Sequence, residues 1–401
     1  MSSFKKIIPS KRTQHIAYAI RDILSIAKER QAAGGDLIYL NIGDPILFDF
    51  DTPPHLIEST YVAMKSRHTG YSPSEGIHEA IESIQRYVRT KNHFEPYEVM
   101  ITNGASEGID FALSAIVNKG DNVLLPSPGY PLYSAIMSRL LGESKFYKLD
   151  EKNAWQPDIE HLESQIDERT KAIVIINPNN PTGAVYNKET LLAIIDIARR
   201  HNLPILSDEI YEKLILDGQP HISIASLDSE LPMITFNGLS KCYLAPGFRI
   251  GWAVASGAPE LLEDYIEAMR KLGRARLCAC HPGQYAITPA LNGNDDHIQK
   301  AIAKMRARRD LTVERLNAIQ GISCQSPNGA FYAFPRVDVE MEETEFVKKL
   351  IKETGVVVVH GSGFGPYPDT AHFRLVFLPT LTVLNDAYDR IDKFMKKHFG
   401  G

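Results

Sequence analysis

Cysteine is scarce in this chain: four residues among 401, at positions 242, 278, 280 and 324. So few thiols in so long a chain exclude a disulfide framework, and the C-x-C pair at 278 and 280 lacks a second Cys or His pair at a zinc-site interval. Reduced, structural cysteines are expected. No run approaches the roughly 20 apolar residues of a membrane-spanning helix. Nor is there a surplus of positive charge. Lys and Arg number 44 against 49 Asp and Glu, a formal net charge of −5, which disfavours nucleic acid and acidic membranes as partners. The opening MSSFKKIIPSKRTQ carries positive charge without the apolar core of a signal peptide, so a cytoplasmic location is expected. Neither internal repeats nor low-complexity tracts occur.

What is present is a rhythm. Helical patterns at 54–65, 77–91 and 106–117 alternate with short apolar runs at 99–102, 122–126, 172–177, 204–207, 233–236 and 251–255. Runs rich in Val and Ile and bounded by Gly, Pro or Asn predict strands buried on both faces. Their alternation with helices predicts a mostly parallel sheet sandwiched by helices. Apolar residues at 16, 20, 23, 24 and 27 predict an amphipathic helix over 16–27. After about residue 290 the pattern changes to a long charged helix, 297–319, followed by strands within 329–337, 355–361 and 373–379. The expected fold is therefore α/β, with a large domain over 51–292 and a smaller α+β domain from 1–50 and 293–401. The cluster Lys304, Arg306, Arg308 and Arg309 is expected to be a solvated helix face.

In an open parallel sheet, ligands sit beyond the carboxyl ends of the strands. Five ends carry informative residues: Gly104-Ala105-Ser106, Tyr130, Asn180, Asp208 with Tyr211, and Ser240-Lys241. This set suits a phosphorylated pyridine aldehyde. Backbone donors at Ala105 and Ser106, where a helix starts, would meet a phosphate, joined by Ser240 and Arg249. Tyr130 would lie on the ring, and Asp208 would keep the ring nitrogen protonated. Asn180 and Tyr211 would reach the ring oxygen. Lys241, directly behind an apolar run, would form an imine and later shuttle the substrate's α-proton. Any one of these segments alone is commonly a turn or a solvated strand end. Arg374 interrupts a short apolar strand, which is costly unless an anion meets it. The histidines at 281, 360 and 372 have no spacing that suggests a metal site or a triad, and no metal is expected.

Taken together, "NIGDP" (41–45), "GYSPSEG" (70–76), "KGDNVLLPSPGYPLY" (119–133), "NPNNPTG", "SDEIY", "NGLSKCYLAPGFRIGW" and "FRLVFLP" resemble the class I pyridoxal-phosphate (PLP) aminotransferases of fold type I over nearly the whole chain. Within that family the bacterial glutamate–pyruvate (alanine) transaminases are most similar. The resemblance implies Lys241 as the imine-forming lysine, Asp208 at the pyridine nitrogen, Asn180 and Tyr211 at the 3-oxygen and Tyr130 stacked on the ring. It also implies Arg374 on the substrate α-carboxylate, Gly43 against the substrate, and Tyr71 reaching the phosphate of a neighbouring subunit, hence a homodimer with shared active sites. Arg276, or alternatively Arg274, falls where the similar aspartate transaminases carry the arginine for a distal carboxylate. Gly238 stands where some of those relatives have a phosphate-binding serine. The implied reaction is alanine with 2-oxoglutarate. Aromatic, branched or aspartate-type substrates, or a PLP-dependent carbon–sulfur β-lyase, are the alternatives. A regulator that borrows this fold is disfavoured, because only some forty residues precede the first motif.

Overall fold

The computed structural model describes residues 6–13, 23–218 and 220–400. Near the start, strand β1 (Ile38–Tyr39) precedes a loop that leads to Asn41 and Gly43. The eight strands that follow are β2 (Glu98–Thr102), β3 (Asn122–Ser127), β4 (Glu143–Asp150), β5 (Gln156–Pro157), β6 (Thr170–Ile176), β7 (Ile205–Asp208), β8 (Met233–Gly238) and β9 (Gly251–Ser256). They form one sheet in the order β2-β9-β8-β7-β6-β3-β4-β5. Strands β8, β7, β6, β3 and β4 are parallel neighbours, while β9 runs antiparallel to both of its neighbours.

The apolar runs become strands because both faces of the sheet are covered. Along β6, Ile173 and Ile175 belong to one core cluster, and Ala172, Val174 and Ile176 belong to the other. Each side chain of this kind, fully buried, contributes about 1.5–3 kcal/mol before the entropy of ordering is subtracted. Helices Ala105–Ile116 and Pro259–Arg276 cover one face, with Ile109, Leu113, Ile266 and Met269 in its core. Helix Lys188–Arg200 lies on the other, burying Leu191, Ile194 and Ile197; its first turn is capped by the Asn187 side chain, which accepts from the backbone N–H of Thr190.

The smaller sheets comprise β10 (Ile322–Ser323) with β12 (Arg336–Val337), and β11 (Tyr332–Ala333), β15 (Phe373–Val376) and β14 (Val359–His360) in the order β11-β15-β14. Strand β1 pairs in parallel with β13 (Val356–Val357), which fastens the early loop to this part of the molecule. Helices Asp296–Asn317, Glu343–Thr354 and Leu381–Phe399 pack around these strands. Most of the helix expected over 16–27 lies outside the described residues; the described helix is Leu24–Ala32, packed on Glu343–Thr354.

The cationic cluster on the long helix departs from expectation. Arg308 and Arg309 are each only 5% exposed. Arg308 donates to both carboxylate oxygens of Asp49 at 2.6 and 2.7 Å and also to the Leu378 carbonyl. Arg309 donates to Asp217 at 2.8 Å and to the Pro327 carbonyl at 2.6 Å. Lys304 also donates to Asp49 and Arg306 to the Leu216 carbonyl, so all four cations tie the helix to distant segments of the chain.

Candidate active site

The ends of β2, β6, β7 and β8 open into a cavity of about 310 Å³, closed on its far side by residues of the smaller sheets and the early loop. It is lined by Gly43, Ala105, Ser106, Tyr130, Asn180, Asp208, Tyr211, Ser240, Lys241, Arg249 and Arg374, together with Asn41, Asp44, Leu132 and Tyr332.

Lys241 follows β8 by three residues, and its Nζ donates to the Gly43 carbonyl at 2.7 Å. Burial lowers its pKa from 10.5 to about 8, against the opposing pull of Asp44; Arg374 and Arg249 push further down and Asp208 upward. An amine so placed is a far better base and nucleophile at neutral pH than an exposed lysine. Asp208 ends β7 and is 4% exposed. Burial raises its carboxyl to about 6, although the Ile210 N–H and the Tyr133 hydroxyl, both at 3.3 Å, donate to it.

Helix Ala105–Ile116 begins at Gly104 with no side-chain cap. Glu107, at the third helical position, instead turns back to accept from the Asn103 N–H at 2.8 Å. The donors of Ala105 and Ser106 are thus left for an anion, at the positive end of the helix dipole. Arg249 lies beside them, its Nη2 3.5 Å from Ser106 Oγ and its Nη1 donating to the Pro246 carbonyl at 2.8 Å. Gly104 has φ +78°, and a Cβ there would stand 2.3 Å from Arg249 Nη2. Gly238 is required for a similar reason. A Cβ at that position would come 2.7 Å from the Ile250 carbonyl and 2.8 Å from Gly251 Cα, so the serine of some relatives has no room in this backbone.

Arg374 enters from β15, 2% exposed, donating to Asn180 Oδ1 at 3.2 Å and to the Asn41 carbonyl at 2.6 Å. Its guanidinium lies 4.8 Å from the ring centres of Tyr332 and Phe364, which fixes its plane. The Tyr211 and Tyr332 hydroxyls are 2.9 Å apart. Gly43 is constrained by the same tyrosine: a Cβ would lie 2.3 Å from the Tyr332 hydroxyl oxygen.

One lysine of lowered pKa, a buried aspartate, an anion cradle and a clamped arginine thus face one space. Residues 35–391 match the family model described as aminotransferase class I and II. The chain is a class I and II aminotransferase.

Among similar aminotransferases, the alanine aminotransferase of Mycobacterium tuberculosis is 40% identical over 96% of this chain and 92% of its own length. Glutamate-pyruvate aminotransferase AlaA of Escherichia coli is 38% identical, with 96% of this chain and 97% of that protein covered. The solved alanine aminotransferase of Pyrococcus furiosus superimposes with a TM-score of 0.95 at 41% identity, covering 98% of this chain and all of that one. Fold type I, with its large mostly parallel sheet and smaller appended part, is the architecture of this aminotransferase.

Three expected residues stand apart from the cavity. Tyr71 is 83% exposed. Arg276 does not line the space. It ends its helix facing the protein, pairing with Glu107 at 3.2 Å, donating to the Ser74 carbonyl at 3.1 Å and lying over the Phe111 ring. Arg274 pairs with Glu267. Within one chain Arg276 is paired with Glu107, and its expected role, across a subunit interface, concerns an assembled dimer. Conversely, sequence reading assigned no part to Tyr133 or Tyr332. Tyr133 is in the first turn of helix Leu132–Leu140, just after Tyr130, and no local pattern marks it as facing Asp208. Tyr332 reaches the cavity only through the β11–β15 pairing, which no local pattern announces.

Proposed function

We propose that this aminotransferase uses PLP to exchange the amino group of L-alanine with 2-oxoglutarate, giving pyruvate and L-glutamate. The observation that carries this reading is the convergence of Lys241, Asp208 and Arg374 on one cavity. The names of the three relatives support the substrate pair.

The residues present fit PLP. The glycine at 104 lets the Arg249 guanidinium stand against the start of the helix, where a Cβ would lie 2.3 Å from Nη2. Ala105, Ser106, Ser240 and Arg249 would hold the phosphate, Asp208 the ring nitrogen, Asn180 and Tyr211 the ring oxygen, Tyr130 the ring face and Lys241 the aldehyde carbon. When bound, PLP supplies an electron sink for charge developing at the substrate's α-carbon.

The remaining work falls to the chain. Arg374, always charged, orients the α-carboxylate through a planar pair of donors. That orientation presents the α-proton to Lys241, whose lowered pKa suits it to take the proton and return it. Asp208, kept from water, concentrates its negative charge where a protonated ring nitrogen needs it. Tyr332 and Phe364 hold the guanidinium plane of Arg374 and so help fix the carboxylate.

The active unit is read as a homodimer. Ile57, Tyr61, Val62 and Met64 lie exposed on helix Pro54–Lys65, near in sequence to the exposed Tyr71. An apolar strip of this kind is a subunit interface in the making, and Tyr71 would then serve the neighbouring phosphate. A cytoplasmic location agrees with four free cysteines. Among the described residues no helix is long and apolar enough to cross a membrane.

The test is a donor panel with 2-oxoglutarate as acceptor. Alanine is expected to give the highest kcat/KM. A higher value for aspartate or tyrosine would overturn the substrate assignment, and pyruvate release from cystine without an acceptor would favour the lyase.

A further inference from the structure

Behind Asp208, outside the cavity just described, two carboxylates and an imidazole converge. Glu209, Glu212 and His221 each offer a ligand atom, and these atoms all lie within 4.8 Å of one another. Glu209 is 1% exposed. Its Oε1 accepts from Ser207 Oγ at 2.9 Å and from Ser223 Oγ at 3.0 Å. Its Oε2 is buried with no hydrogen-bond partner and faces His221 Nε2 at 4.0 Å. The same Nε2 lies 3.2 Å from the Asn177 carbonyl oxygen. Glu212 is held by Tyr87 Oη at 2.8 Å and Asn92 Nδ2 at 2.6 Å. A surface cavity of about 390 Å³ is lined by Glu212, His221 and Asn92 among others, so two of the three groups border solvent. The nearby Lys213 is engaged elsewhere, donating to Asp295 at 2.9 Å.

We propose that Glu209, Glu212 and His221, with the Asn177 carbonyl, form a binding site for one divalent first-row cation of the Mn2+ or Zn2+ class. An oxygen left bare in the interior while its twin takes two hydroxyl donors is placed as a ligand would be. The serines, Tyr87 and Asn92 are the outer partners that orient ligating carboxylates. Carboxylate, imidazole and carbonyl without thiolate suit Mn2+ or Zn2+. With metal–ligand bonds of about 2.0–2.2 Å, ligand atoms stand about 3–4 Å apart, so the widest separation in the cluster closes by up to roughly 1–2 Å around the ion. The ion would join the carbonyl after β6 to the residue after β7, stiffening the two strand ends that present Asn180 and Asp208. The proposal is independent of the substrate assignment.

The test uses tag-free holoenzyme, dialysed against chelator and titrated with Mn2+ under electron paramagnetic resonance. One Mn2+ per chain is expected, with nitrogen-14 coupling from the imidazole. His221→Gln and Glu212→Gln, checked for native circular dichroism, are each expected to weaken binding at least tenfold. Absence of stoichiometric binding, a bound ion without nitrogen coupling, or folded variants that bind as the parent does would overturn the site.

Discussion

The ε-amino group of Lys241 donates to the carbonyl oxygen of Gly43 at 2.7 Å, so the base that follows β8 touches the loop that carries the other wall of the cavity. Burial of the amine between these walls is the main cause of its lowered pKa.

Asp208 carries a pH signature. Burial holds its folded-state pKa at about 6 against 3.8 for the free group. Its contribution to stability is therefore full below pH 3.8 and lost as pH rises through 6. In cofactor-free protein, Asp208→Asn removes this loss. The variant is expected to match the parent below pH 4 and exceed it at pH 7 by on the order of 3 kcal/mol, read by denaturant titration. With PLP bound, the same variant is expected to lose about 10²-fold or more in kcat.

Tyr133→Phe tests whether the hydroxyl positions Asp208. Removing a donor at 3.3 Å disfavours the carboxylate form. The acid limb of the kcat/KM profile is expected to move up by about one unit, with KM for alanine little changed. A purely structural role would lower Tm and leave the limb in place.

Gly104→Ala would set a methyl against Arg249 at a residue whose φ is +78°. Backbone strain of about 1–2 kcal/mol adds to the displaced guanidinium. PLP affinity is expected to fall at least tenfold by equilibrium dialysis.

Arg374 and Arg276 separate by their kinetics. Arg374→Ala is expected to raise KM for alanine and glutamate together, since both carry the α-carboxylate. Arg276→Ala breaks the pairing with Glu107 at 3.2 Å, so a lowered Tm with an unchanged ratio of the two KM values is expected. A selective rise for glutamate would return Arg276 to the substrate site of an assembled dimer.

The strand ends were legible because runs such as 172–177 and 233–236 are apolar on both faces, and the residue after such a run is placed by topology alone. Helix Pro54–Lys65 was legible from its proline start and its period. Strand β4 was not, since ESKFYKLD alternates polar residues on a half-covered strand. The pairing of Arg276 with Glu107 was not legible, because position on a helix end does not say whether a long side chain turns outward or back upon its own chain. The buried state of Arg308 and Arg309 was hidden likewise, since Asp49 and Asp217 lie far away in sequence. Glu209 and His221 meet across a loop, where spacing carries no signal.

The most direct measurement mixes PLP-loaded enzyme with L-alanine and no oxo acid, counting pyruvate per active site. One pyruvate per site is expected, then a halt until 2-oxoglutarate is added, after which glutamate forms one for one with pyruvate. Lys241→Ala is expected to slow the first turnover at least about 10³-fold. No pyruvate from alanine, or continued turnover without an acceptor, would contradict alanine–2-oxoglutarate transamination at this site.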